Sequence, residues 1–213
     1  SGKCVEFGGY FNPLVMYKVD PKNSNRYLID NATLDLSQSS GKSGNYLNFR
    51  NMHKVDIVRK ALMGGKVVDR TAGNYFLATD NGKTVEYGTT LPSGIIQTLS
   101  GRVRLGLMVF NSPAEGGHIA KVPNGSGGWT TRVAQLGSSE ADLIASMEST
   151  ETDPLTSTPT SETLYEAIRY FQAKPSAYNK DVDYGSMDPV QNSCQKHFIL
   201  LLTDGDPNSN GNL

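Results

Sequence analysis

Five consecutive apolar residues, Phe198-Ile-Leu-Leu-Leu202, stand near the carboxyl end of the chain. An amphipathic helix would break such a run with polar positions, so it predicts a strand buried on both faces, as in parallel sheets covered by helices. The run stops at Thr203-Asp204-Gly205, which sets a carboxylate and a turn at the carboxyl edge of the strand, where open α/β sheets bind ligands. Residues 102–110, Arg-Val-Arg-Leu-Gly-Leu-Met-Val-Phe, begin alternating and finish apolar, predicting a second core strand. Residues 45–63 predict a helix with Val55, Val58 and Leu62 on one face, Ile57 and Ala61 beside it, and Gly64-Gly65 as its stop. Residues 75–87 predict a hairpin turning at Asn81-Gly82.

Shorter signals fill the rest. A helix is predicted around 139–147 and another from about Pro159 to Gln172, with Leu164, Ile168 and Phe171 inward. Residues 1–44 read as an irregular insertion punctuated by Gly8-Gly9, Pro13, Pro21 and several Asn, and 66–100 and 113–138 as insertions in a helix-strand core spanning 45–213. Strand and helix alternate, which implies an α/β fold with a mainly parallel sheet.

Composition narrows the function classes. With 213 residues, 37% hydrophobic content and a formal net charge of −1, the chain suits a soluble globular protein and shows no basic excess for nucleic acid. No run of ~18 apolar residues occurs, so no membrane span is predicted. Ser1-Gly2-Lys3-Cys4 has no apolar signal core; a secretory signal is expected to be removed or to lie outside this sequence. Cys4 and Cys194 permit one disulfide without requiring it. Ten tyrosines against one tryptophan, with many Gly, Asn and Ser, suit an extracellular, loop-rich protein.

Three loops carry candidate chemistry, each with a plainer reading. Thr203-Asp204-Gly205 is a ligand-binding edge or simply a good Asp-Gly turn. Thr156-Ser157-Thr158-Pro159 offers a hydroxyl ligand, yet Thr158 also suits a helix N-cap with Pro159 at the first helical position. Asp35-Leu36-Ser37-Gln38-Ser39 spells D-x-S-x-S, but Ser and Asp cluster in ordinary loops, and the preceding Tyr27–Leu34 is broken by Asp30-Asn31. Together, aspartates, serines and a threonine would suit Mg²⁺ or Mn²⁺, which take six oxygens at ~2.0–2.2 Å. Hydroxyl ligands leave net positive charge on the metal, so a partner's carboxylate can complete the shell. That chemistry is adhesive.

Several segments, in order, resemble the von Willebrand factor A domain at the front of type IV pilus tip-associated adhesins. They are Gly8-Gly9-Tyr10-Phe11-Asn12-Pro13 with Tyr17; Gly44-Asn45-Tyr46-Leu47-Asn48-Phe49 leading into Val55–Leu62 and Gly64-Gly65; and Arg102 to Asn111. Thr158-Pro159 with Glu162, Leu164-Tyr165-Glu166-Ala167 and Tyr170-Phe171 follow, then Cys194-Gln195-Lys196-His197-Phe198 through Gly205. The resemblance implies a von Willebrand A, Rossmann-like sheet flanked by helices, here incomplete at both ends. In those adhesins the D-x-S-x-S loop precedes the Gly-Tyr-Phe segment, whereas Asp35, Ser37 and Ser39 follow it.

The implied function is that of an extracellular pilus-tip adhesin or assembly factor, not an enzyme. Thr158 and Asp204 would contribute to a metal-ion-dependent adhesion site holding Mg²⁺, Mn²⁺ or Ca²⁺, with Asp35, Ser37 and Ser39 as further candidates. Partners would be minor pilins or other tip subunits, the remainder of its own protein, and a host, surface or matrix ligand. Cys194 would be oxidised outside the cell, with Cys4 as its implied partner. Two alternatives remain. One is a structural pilus or surface component with no working metal site. The other is a nucleotide hydrolase, because Gly41-Lys42-Ser43 ends like a phosphate-binding loop and Phe198–Asp204 resembles the strand that carries a Mg²⁺ ligand.

Overall fold

The computed structural model describes residues 5–31, 41–112, 114–149 and 157–203, and the chain divides into two compact units, residues 1–98 and 99–213.

The first unit is built on a mixed five-stranded sheet. Its strands are β1 (Met16–Asp20), β2 (Asn23–Asn31), β3 (Lys42–Ser43), β4 (Tyr75–Ala78) and β5 (Thr84–Gly88), in the order β3-β1-β2-β5-β4. Only β2 and β5 run parallel; the other three pairings are antiparallel. A mainly parallel sheet is therefore not what forms. Very short connections decide this, because two residues between strands allow only a hairpin, while a parallel return needs a long crossover. Pro21-Lys22 makes such a connection, with Asp20 Oδ1 accepting from Lys22 N at 2.9 Å. The segment 1–44, expected to be irregular, thus contains three strands, β1, β2 and β3. The hairpin predicted at 75–87 forms, with Gly82 at φ 81° in its turn.

The predicted helix over 45–63 divides into α1 (Gly44–Asn51) and α2 (Lys54–Met63). The break sits at Met52-His53, where His53 starts a new helix and Asp56 Oδ2 accepts from His53 N at 2.9 Å. Asp56 Oδ1 also accepts from Asp80 N at 2.9 Å, tying the start of α2 to the β4–β5 turn. Gly64 ends the helix in the left-handed region at φ 83°, and Gly65 N donates back to Arg59 O at 3.0 Å, the stop the glycine pair predicts. Val55, Val58 and Leu62 are half-buried; the fully buried face carries Asp56, Arg59 and Met63 instead.

The core gathers Tyr10, Phe11, Val15, Tyr17, Leu47, Val67, Leu77 and Val85. Phe11 meets Tyr17 and Tyr27 edge to face at 5.3 and 5.5 Å, the geometry the ring quadrupole favours. Asn48, on α1, pins the amino-terminal segment to this core. Its Nδ2 donates to Phe7 O and Phe11 O, each at 2.8 Å, and its Oδ1 accepts from Phe11 N at 3.0 Å.

A short helix α3 (Ile95–Leu99) ends at the start of the second unit. That unit holds two small antiparallel pairs, β6 (Met108–Phe110) with β7 (Gly117–Ile119) and β8 (Lys121–Pro123) with β9 (Trp129–Val133). Two helices follow, α4 (Glu140–Glu148) and α5 (Thr160–Phe171), then a 3₁₀ turn at Tyr184–Met187. Ser139 caps α4 by accepting from Asp142 N, and Ser146 Oγ donates to Lys121 O at 2.9 Å. The core centres on Ile119, Tyr170 and Tyr184, with Met108, Val133, Leu136 and Phe171 packed around it.

Two expectations fail here. Residues 102–110 form a strand only at Met108–Phe110, and it pairs antiparallel. Phe198–Leu202 forms no strand, with Phe198 84% and Leu200 74% exposed. Its apolar character is sufficient for burial only where a neighbouring strand supplies ladder partners, and none lies beside it among the described residues.

Candidate functional site

The chemistry of the second unit collects where α5 meets the β6–β7 turn and the loop 175–184. α5 is amphipathic, but its buried face is not the predicted apolar stripe. Ile168 is 48% exposed, while Thr160, Glu162, Thr163, Glu166, Ala167 and Tyr170 face inward. The helix also begins one residue later than expected. Thr160 N donates to Thr158 O at 2.8 Å, so Pro159, not Thr158, occupies the N-cap.

That shift has a chemical consequence. Glu162 becomes the third helical residue, the position from which a glutamate ordinarily reaches back to accept the N-cap N–H. Pro159 has no N–H. Glu162 is 0% exposed, and neither of its carboxylate oxygens has a hydrogen-bond partner. Thr163 beside it is also buried, with its hydroxyl unpartnered.

Glu166, one turn on and equally buried, is fully engaged. Its Oε2 accepts from Ser176 Oγ at 2.8 Å and Tyr184 OH at 2.6 Å; its Oε1 accepts from Ala177 N at 2.5 Å and Tyr178 N at 3.0 Å. These bonds shape the loop 175–183, which lines an open cavity of about 320 Å³. The network continues through Asn179, whose Nδ2 donates to Gly117 O at 2.7 Å and whose Oδ1 accepts from Asn111 Nδ2 at 3.2 Å. Asn111 Oδ1 in turn lies 2.6 Å from His118 Nδ1. Close approach here depends on the absence of side chains. A Cβ on Gly116 would lie 2.6 Å from the Tyr178 side chain, and one on Gly117 2.5 Å from Thr163 Cγ2.

The electrostatics are one-sided. Burial, and then the bond to Glu166, pushes the Tyr184 phenol far above its ordinary value. Burial also raises Tyr178, followed by the negative charges of Glu162, Glu115 and Glu166. No Lys or Arg forms an ion pair with Glu162 or Glu166 among the described residues.

Of the residues singled out in the sequence, Thr158 lies half-buried just before α5, four positions from Glu162, and Cys194 is exposed. Asp35, Ser37, Ser39, Asp204 and Cys4 lie outside the described residues. No group of three or more His, Cys, Asp or Glu suited to a metal occurs among the described residues. In the first unit, Lys42 leans over the Tyr46 ring at 5.5 Å and Ser43 Oγ caps α1 by accepting from Tyr46 N. The sequence signal for this buried pair is two carboxylates at i and i+4 behind a proline that removes the capping partner.

Residues 3–97 match a family model described as PilY1 homolog, small alpha/beta domain. The match nearly coincides with the first compact unit and agrees with its mixed α/β architecture. No curated protein and no solved structure matches the chain.

Proposed function

We propose that the protein is a type IV pilus-associated surface component that acts outside the cell by binding, not by catalysis. The observation that carries this reading is the match of residues 3–97 to the PilY1 homolog small α/β domain. The order of motifs from Gly8 to Gly205 supports a finer reading, in which the chain is a partial von Willebrand A-like domain that grips a partner through a metal-ion-dependent site. Thr158 and Asp204 would hold the ion, with Asp35, Ser37 and Ser39 as further oxygen ligands. Mg²⁺, Mn²⁺ or Ca²⁺ would supply a positive centre that a partner's carboxylate completes. Minor pilins and other tip subunits are the partners this role calls for, and a Cys4–Cys194 bridge would suit the oxidising exterior.

Immunogold labelling of intact cells and sheared pili tests the location. Label on pili is expected, and label confined to the cell interior refutes the proposal. Calorimetric titration of Mg²⁺ or Mn²⁺ into the intact chain and into Asp204→Ala and Asp35→Ala variants tests the finer reading. Absence of binding in the intact chain would leave a structural pilus component as the function.

A further inference from the structure

We infer that Glu162, a residue outside the set Thr158, Asp204, Asp35, Ser37 and Ser39, is the carboxylate ligand of a divalent-cation site buried on the inner face of α5, where Thr163 meets Gly117 at the start of β7. The inference rests on the second unit alone and not on the pilus reading. Three observations carry it. Both oxygens of a fully buried carboxylate lack partners, and the adjacent Thr163 hydroxyl lacks one too. Glu162 and Glu166 sit one helical turn apart on the buried face, an arrangement of like charges that destabilises a helix unless something neutralises it. No basic side chain does so among the described residues.

The rest of the site fits an ion. Glu166 is saturated by its four donors, which leaves Glu162 as the open anionic ligand. Water would satisfy its hydrogen-bonding capacity but not its charge. A partner's lysine or arginine is too large to reach a carboxylate that is 0% exposed without opening the unit, whereas a bare ion is small enough. All the candidate donors are oxygens, the preference of hard divalent cations. The helix amino terminus contributes the equivalent of about half a positive charge beside Glu162, short of a full countercharge.

The test is thermal unfolding of the 213-residue chain in chelator and in saturating Ca²⁺, Mg²⁺ or Mn²⁺. At about a hundred times the dissociation constant, the wild type is expected to gain roughly 5–10 °C with at least one of the ions. Glu162→Gln, which keeps the shape and removes the charge, is expected to melt above the wild type in chelator and to gain nothing from the ion. Thr163→Val is expected to fold and to bind at least several-fold more weakly. Tb³⁺ supplies a second readout, because Tyr178 is close enough to Glu162 to feel its charge. Tyrosine-excited Tb³⁺ emission is expected from the wild type, with most of it lost in Tyr178→Phe and all of it in Glu162→Gln. A wild type indifferent to all three ions overturns the inference. An ion-dependent gain that survives in Glu162→Gln but vanishes in Thr158→Val also overturns it, while supporting the separate metal site of the proposed function.

Discussion

Replacing Glu166 with alanine removes the acceptor for Ser176 Oγ, Ala177 N, Tyr178 N and Tyr184 OH in one step. The cost is not four equal parts. Tyr184 is 0% exposed, so its hydroxyl has no route to water, and a donor stranded in that way costs about 1–3 kcal/mol. Ala177 is exposed and Tyr178 half-buried, so their N–H groups become hydrated and lose only about 1 kcal/mol each. Relief of the like charge at Glu162 returns a few tenths of a kcal/mol, about the size of a helical i, i+4 pair. Ser176 Oγ, half-buried, finds water at little cost, so the net loss is about 3–5 kcal/mol, a large share of the roughly 5–15 kcal/mol that holds a typical domain together. Trp129, the only tryptophan and a residue of β9, reports on the second unit in urea titrations followed by fluorescence. Tyr184→Phe alone is expected to cost about 1 kcal/mol. In the Glu166→Ala background the same change is expected to cost nothing or to stabilise, so the double-mutant cycle gives a positive coupling. Amide exchange over 175–184 is expected to accelerate in Glu166→Ala. A loss below about 0.5 kcal/mol with unchanged exchange would refute the claim that this carboxylate organises the loop.

Two further outcomes follow from the same physics. Asn48→Ala removes three bonds to Phe7 and Phe11 from a residue 2% exposed, and is expected to lower the stability of the first unit by about 2–4 kcal/mol, read by urea titration of that unit's far-ultraviolet dichroism. Because the folded-state value of Tyr184 is raised above the ordinary 10.0, its contribution is fully present below pH 10 and is lost as pH rises through the folded value. The urea midpoint between pH 9 and 11.5 is therefore expected to fall only above about pH 10, and Tyr184→Phe is expected to flatten part of that slope.

What the sequence disclosed was local. The Asn81-Gly82 hairpin, the Gly64-Gly65 helix stop and the helices near 139–147 and 159–172 each depend on residues within a few positions of one another, and each is found. The β1–β2 hairpin was also local, but Asp20-Pro21-Lys22-Asn23 reads equally well as loop punctuation. Distant partners hid the rest. Leu164, Ile168 and Phe171 form the more apolar stripe of α5, yet the helix turns its other face inward, where donors from residues 176–184 satisfy the buried Glu166. Nothing in the periodicity of α5 contains that information. Phe198–Leu202 illustrates the converse, since hydrophobicity is a property of the residues whereas burial requires a neighbour.

That exposed run has a bearing on how the chain behaves in solution at high concentration. Five apolar residues without ladder partners form a short, sticky template on which one molecule can pair with another. The nearest charges in the sequence, Lys196 before it and Asp204 after it, act as gatekeepers through their hydration, and through repulsion where copies pair parallel and in register. Their reach shrinks as added salt shortens the screening length from about 10 Å at 0.1 M to about 3 Å at 1 M. Self-association through this segment would not require either unit to unfold, so added salt would favour precipitation of a protein whose two units remain native.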